Sequence, residues 1–250
     1  MPDPCVDGIA HPRSLNMIDK NFIQIAGVID AVEAQMLQQC GVRYLGFPLR
    51  LPVHREDLTG EEAAAIIKSL APPVFGVLIT YLDEASEIAA FCHALGARIV
   101  QLHGDIEHAE LMRLKTLDPK LIVLKSLVIG MRDQKALEAT LRELSPFVDA
   151  FITDTFDPKT GASGATGKTH DWRVSRRLVE LADRPIILAG GLTPENVKRA
   201  ILEVRPAGVD SHTGVEDSTG RKSREKVERF VSEANEAFDL VDRRLFVGNK

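Results

Sequence analysis

Short runs of aliphatic and β-branched residues alternate with longer amphipathic stretches along nearly the whole chain. The runs Phe22–Val28, Arg43–Phe47, Val74–Thr80, Arg98–Leu102, Lys120–Leu127, Asp149–Thr155, Pro185–Ala189 and Ala207–Asp210 have the length and near-continuous apolarity of strands buried on both faces. Between them, apolar positions recur at helical spacing over Asp30–Gln39, Glu61–Leu70, Asp83–Leu95, Ile106–Leu114, Gln134–Leu144, Trp172–Leu181 and Pro194–Glu203. A last helix is expected from about Ser223 to Asp239. Eight strand–helix repeats without a dividing linker predict an α/β fold, a single-domain (β/α)₈ barrel over residues 21–250. An open doubly wound sheet is the alternative, because the order of elements does not by itself close a sheet. The first stretch, MPDPCVDGIAHPRSLNMIDK, lacks the apolar core of a signal peptide and reads as an N-terminal extension over residues 1–20.

Composition narrows the class of function. The 250 residues are 44% hydrophobic and 27% charged with a net charge of -5, values that suit a soluble enzyme and argue against a nucleic-acid surface. No apolar run reaches the length of a membrane span. Cys5, Cys40 and Cys92 form no C-x-x-C pair, and their odd number favours a reducing, cytoplasmic setting over a disulfide scaffold.

In such a barrel the chemistry sits at the C-terminal ends of the strands. The glycine-rich and polar segments fall there: VHRED after the second strand, QLHGD after the fourth, TDTFDPKTGASGATGKTHDW after the sixth, AGGLTPEN after the seventh and DSHTGVED after the eighth. Gly190 and Gly191 let backbone amides approach an anion, with Thr193 placed as an N-cap and Pro194 at the first helical turn. Ser211, Thr213 and Gly214 offer hydroxyls and a further close approach, so the two loops together predict a phosphate site. Tight βα turns with no ligand would use the same residues. The GASGATGKT run over Gly161–Thr169 is not a P-loop, since the required leading glycine is Ala162. Lys168 reads either as a cation facing a substrate phosphate or carboxylate, or as a solvated loop lysine.

Asp154 closes the apolar strand AFITD, where partial burial would raise its pKa and suit it to general-acid work. The competing reading is an Asp that caps the following loop. Arg55 offers a fork for a carboxylate or phosphate, or pairs with Glu56 or Asp57. His103 is a ligand, an acid or a packed core histidine. No His/Cys/Asp cluster has metal-binding spacing, and no metal is expected.

The segments GVRYLGF, QLHGD, FITDT, GATGKTHDW, ILAGGLTPENV and RPAGVDSHTGVED, in this order, resemble the phosphoribosylanthranilate isomerase family of tryptophan biosynthesis over roughly residues 22–235. The resemblance implies a cofactor-free Amadori rearrangement of an N-glycosidic ribose phosphate. An acid opens the ring and a base removes the C2′ proton. It assigns Asp154 as general acid, Arg55 to the anthranilate carboxylate, and Gly190, Gly191, Ser211, Thr213 and Gly214 to phosphate. His103, Lys168 and Asp210 join the substrate-binding set. The implied partner is a small phosphorylated sugar, with no nucleic acid and no membrane, on a monomer or homodimer.

Two departures from the family wording stand out. Where the first strand usually reads K-I-C-G, this chain has Gln24-Ile25-Ala26-Gly27, so Ala26 occupies the place of the base cysteine and Gln24 that of the lysine. His212 stands where the family commonly has serine, and the loop from Pro48 to Asp57 lacks the usual S-P-R wording, leaving Arg55 on spacing alone. Three accounts follow: the family reaction with another base, Asp154 in both directions or His212; a paralogous sugar-phosphate isomerase or lyase; or a barrel that binds a phosphorylated ligand without turnover.

Overall fold

Every residue of the first strand, β1 (Phe22–Ala26), is buried, as expected where a sheet is covered on both sides. In the computed structural model, which describes Ile18 and residues 21–52, 56–131, 133–156 and 169–247, seven further strands follow, each buried along most of its length. They are β2 (Tyr44–Pro48), β3 (Phe75–Thr80), β4 (Ile99–Leu102), β5 (Ile122–Ile129), β6 (Ala150–Thr155), β7 (Ile186–Leu188) and β8 (Gly208–Ser211). All pair in parallel and in chain order, and β8 returns to β1 to close the barrel. The open-sheet alternative is thereby excluded.

The helices α1 (Ala31–Gln39), α2 (Gly60–Ser69), α3 (Ala85–Leu95), α4 (His108–Leu117), α5 (Gln134–Leu144), α6 (Trp172–Leu181), α7 (Val197–Val204) and α8 (Arg224–Val247) each follow a strand. Their starts are chemically marked. Asp30 accepts the Glu33 amide at 2.7 Å, Asp133 the Ala136 amide at 2.8 Å and Asp171 the Arg173 amide at 3.0 Å, while Thr59 and Glu62 cap each other reciprocally. Three helices depart most from the pattern-based bounds, the first being α4, which runs from His108 to Leu117 rather than from Ile106 to Leu114. Regular α7 begins at Val197 rather than Pro194, because the Thr193–Asn196 turn comes first, and α8 continues to Val247, well past Asp239.

Alternation along the strands divides the core into two. Ile23, Ile25, Leu45, Leu78, Val100, Val123, Phe151, Leu188 and Val209 face outward and pack under the helices. Phe22, Tyr44, Val77, Ile99, Ile122, Leu124, Ala150, Ile152 and Ile187 face inward and fill the lower barrel. There Phe22 stacks on Tyr44 with ring centres 3.9 Å apart, and Tyr44 on Phe75 at 6.0 Å, contacts worth about 0.5–1.5 kcal/mol each beyond their buried area. Ile18, within the stretch read as an N-terminal extension, is buried against this inner cluster. Higher up, the inward positions turn polar: Gln24, Gln101, His103, Ser126, Asp154 and Asp210. The change from apolar to polar along one set of strand faces locates the functional end.

Candidate active site

The upper barrel holds two carboxyls in contrasting settings. Asp154, near the end of β6, accepts the Thr155 amide at 2.7 Å through one oxygen. Its other oxygen lies 3.7 Å from His103 Nε2. His103, just beyond β4, shares a 3.0 Å hydrogen bond between Nδ1 and the Ser126 hydroxyl of β5, and its ring leans on Tyr81 at 4.9 Å. Burial raises the Asp154 pKa, with His103 and the Thr155 amide opposing it. The result is a carboxyl held in one orientation and inclined to keep its proton.

Asp210 stands across the barrel on β8, paired in register with Gln24 of β1. Burial lifts its pKa to about 7; Gln24 draws it down, the charge of Asp154 raises it, and Lys222 draws it down. Gln24 is fully buried and gives its amide proton to Gln101 Oε1 at 2.9 Å. The Gln24 oxygen and Asp210 Oδ1 are both shut off from solvent without a hydrogen-bond partner. Ala26, the next inward position on β1, contributes only a methyl group and is 4% exposed.

His212 follows β8 with its Nε2 edge packed against Gly27; a side-chain carbon on Gly27 would lie 2.1 Å from that nitrogen. The same nitrogen is 3.5 Å from Glu216, whose carboxylate also takes the buried Lys222 ammonium at 2.6 Å. Burial, and then the Lys222 charge, push the His212 pKa down to about 3, so the ring is neutral.

The loops after β7 and β8 press against each other. Ser211 donates its hydroxyl proton to Leu192 O at 2.8 Å, and a carbon added to Gly214 would meet that same oxygen at 1.9 Å. Gly190 and Gly191 have φ values of 101° and 62°, in the left-handed region that favours glycine. A carbon on Gly190 would also strike the Thr155 hydroxyl at 2.2 Å. Beyond them, Asn196 binds the Thr193 amide at 2.9 Å and Gly191 O at 3.0 Å, locking the turn, and Thr213 opens a single 3₁₀ turn, Thr213–Val215. Gly190, Gly191, Ser211, Thr213 and Gly214 are therefore neighbours in space. The Ser211 hydroxyl proton is spent on tying the loops together.

Arg55 and Lys168 lie outside the described residues. Sequence reasoning gave no role to Ser126, Gln101, Lys222, Glu216 or His170. The last bridges Thr155 at 2.9 Å and Ser175 at 2.6 Å as a neutral strut, its pKa held at about 4 by burial. Only the pairing of inward positions across strands would have singled out the first two, and that needs the register. Among the described residues no cluster of three or more His, Cys, Asp or Glu is placed to hold a metal, and no helix is long and apolar enough to cross a membrane. A cavity of about 640 Å³ opens at the opposite end of the barrel, beside Ile18, Lys115 and Asp149. It is far from both carboxyls and from the glycine loops, and strand N-terminal ends carry stability rather than chemistry.

A closed barrel with two partly buried carboxyls at the same end as an anion-type loop pair is the frame of an acid–base enzyme for a phosphorylated substrate. The family model described as N-(5′-phosphoribosyl)anthranilate (PRA) isomerase matches residues 24–233, and the chain belongs to this isomerase family. It is 37% identical to N-(5′-phosphoribosyl)anthranilate isomerase 2 of Methanosarcina mazei over 88% of this chain and 96% of that one. Identity to the Haloferax volcanii PRA isomerase is 35%, again over 88% and 96%. Among solved structures, the Thermotoga maritima PRA isomerase superposes with a TM-score of 0.72 at 29% identity, over 86% of this chain and 98% of that one. A PRA isomerase in complex with reduced 1-(o-carboxyphenylamino)-1-deoxyribulose 5-phosphate gives 0.70 at 27% identity, over the same shares.

Proposed function

We propose that this chain isomerises N-(5′-phosphoribosyl)anthranilate to the corresponding 1-amino-1-deoxyribulose phosphate. The observation that carries the reading is the placement of Asp154: a largely enclosed carboxyl of raised pKa, held by His103 and the Thr155 amide, at the same barrel end as the β7 and β8 loops. Those loops would hold the phosphate on backbone amides. Asp154 would protonate the ring oxygen as the C1′–O bond breaks, giving an open-chain iminium at C1′. Loss of the C2′ proton then gives the enaminol. Return of a proton to C1′ and loss of one from the C2′ hydroxyl complete the ketone, with no net gain or loss of atoms. Arg55 and Lys168 would complete the binding of the two anionic ends. The reading makes the protein a cytoplasmic, cofactor-independent enzyme acting as monomer or homodimer on a small sugar phosphate.

One specific observation favours a second reading, a paralogue with another sugar-phosphate substrate: β1 offers only Ala26 where the resemblance implies a base. Nuclear magnetic resonance with the purified protein separates the two. Loss of the anomeric C1′ signal of PRA and growth of a ketone carbon is the expected result. Binding of PRA or inorganic phosphate without that conversion would replace the first reading by the second.

A further inference from the structure

We propose that Asp210 is the base that takes the C2′ proton, supplying from β8 what Ala26 leaves out of β1. The assignment rests on the isomerase reading above and concerns the one role which that reading leaves unfilled.

Among the described residues, the other groups named around the upper barrel are committed elsewhere. The Nε2 edge of His212 lies against Gly27 and 3.5 Å from the Glu216 carboxylate. Glu216 is itself held by the Lys222 ammonium at 2.6 Å. Asp154 is held by Thr155 and His103 in the role of the acid. Cys40 and Cys92 belong to the outer layer beneath the helices, on the wrong side of the strands. Asp210 remains. It faces inward at the level of Gln24, one inward step along β1 from Ala26, so the two strands place it diagonally beside the vacated position.

The Gln24 side chain supplies a device for carrying the proton. As oriented, its amide N–H₂ serves Gln101 and its oxygen has no donor, while Asp210 Oδ1 has none either. When Asp210 is protonated, its O–H can be donated to the Gln24 oxygen. When Asp210 is ionised, a half-turn of both amides lets Gln24 donate N–H to the carboxylate while its oxygen accepts from the Gln101 N–H₂. Either charge state thus finds a satisfied arrangement, and a lysine at position 24 would support only one of them. Burial first, and then the Asp154 charge, raise Asp210, which favours its protonated form once it has taken a proton.

The proton balance is closed. The Asp210 carboxylate takes the C2′ proton. The C2′–H electron pair becomes the C1′=C2′ bond, and the C1′=N pair returns to nitrogen. The resulting Asp210 acid gives the proton to C1′, while Asp154, ionised after ring opening, recovers one from the C2′ hydroxyl.

The experiment compares the wild type with Asp210→Asn and Asp210→Ala on PRA and on PRA deuterated at C2′. Wild-type turnover is expected. Asp210→Asn should lower kcat by about 10²–10⁴-fold with KM changed only a few-fold, and should raise the isotope effect as proton removal becomes limiting. Added formate should restore part of the Asp210→Ala rate in proportion to its concentration, which a purely structural loss would not allow. An Asp210→Asn variant that keeps more than a tenth of kcat overturns the assignment. So does a loss confined to KM with no added isotope effect and no formate rescue, which would make Asp210 a holder of substrate hydroxyls. No turnover by the wild type would overturn the isomerase reading itself and take this assignment with it.

Discussion

The β4–β6 side of the barrel mouth and the β8–β1 side each present one partly buried carboxyl, and their surroundings differ in kind. Asp154 has a backbone donor, an imidazole at 3.7 Å and, behind that imidazole, a serine hydroxyl and an aromatic ring. Asp210 faces an amide whose oxygen is as unsatisfied as its own. A carboxyl pinned by several partners keeps one orientation and one task, which is what protonating a leaving ring oxygen demands. A carboxyl with an open acceptor position is poised to receive something the resting protein does not contain. Native proteins seldom leave buried polar atoms without partners, and those left so are concentrated where function has overridden packing.

The largest test of this contrast removes the pinned side. Asp154→Asn keeps the shape and the Thr155 contact but cannot deliver a proton. The expected loss is about 10²–10⁴-fold in kcat, with the affinity for inorganic phosphate unchanged by titration calorimetry, since the acid works away from the phosphate loops. Full activity in this variant would dissolve the contrast altogether.

Stability offers the next test, and here the open side should respond. A carboxyl ordinarily near 4 that burial lifts to about 7 binds its proton more tightly folded than unfolded. Below about pH 4 both states are protonated and the group costs nothing. As pH rises toward 7 the unfolded chain releases the proton while the native state retains it, so stability falls, and above 7 the loss is complete. Asp210→Asn removes this slope. Its Tm should match the wild type at pH 4 and exceed it at pH 8 by on the order of 10 °C, for a chain that gains ~2–4 °C per kcal/mol. A constant difference across that range would mean that Asp210 is not raised in the folded protein.

A smaller effect is expected at the anion loops, which both carboxyls share. Gly214→Ala puts a methyl 1.9 Å from Leu192 O, so the β8 loop must move off the β7 loop. The KM for PRA and the Kd for inorganic phosphate should both rise about tenfold, roughly 1.4 kcal/mol, with kcat much less affected. Equal loss in kcat alone would place the glycine on the chemistry rather than on the phosphate.

Much of this architecture was legible in the chain. Eight apolar runs and eight helical stretches came through because a strand buried on both faces leaves an unbroken hydrophobic signature. The glycine loops and Asp154 were visible because the polar segments cluster at one end of the strands. Helix bounds slipped at Pro194, where the Thr193–Asn196 turn delays the regular helix, and at Asp239, beyond which helical spacing continues to Val247. The pairing of Gln24 with Asp210 and with Gln101 was not legible, because it joins residues 186 and 77 positions apart and depends on strand register. His212 was read as a candidate base from its position after β8. That reading could not include the ring's direction, which is set by its contact with Gly27 and Glu216.

His212 therefore provides the smallest and most discriminating prediction. The residue is adjacent to the glycine that follows Ala26, so a sequence-level argument makes it an obvious replacement base. The structure gives it a neutral ring whose Nε2 lies against Gly27 and 3.5 Å from Glu216, and a pKa pushed down to about 3 by burial makes it a poor proton acceptor at neutral pH. Replacing it with serine removes a ring that covers Gly27 and a partner of Glu216, while Lys222 continues to satisfy that carboxylate at 2.6 Å. His212→Ser should accordingly lower kcat by less than about tenfold, well under the range for loss of a general base. Its pH–rate profile should keep the wild-type limbs, since the group that sets them is elsewhere. A hundredfold fall with loss of one limb would move the base from β8's Asp210 to His212. The two sides of the mouth would then differ only in the residue type that carries out proton transfer.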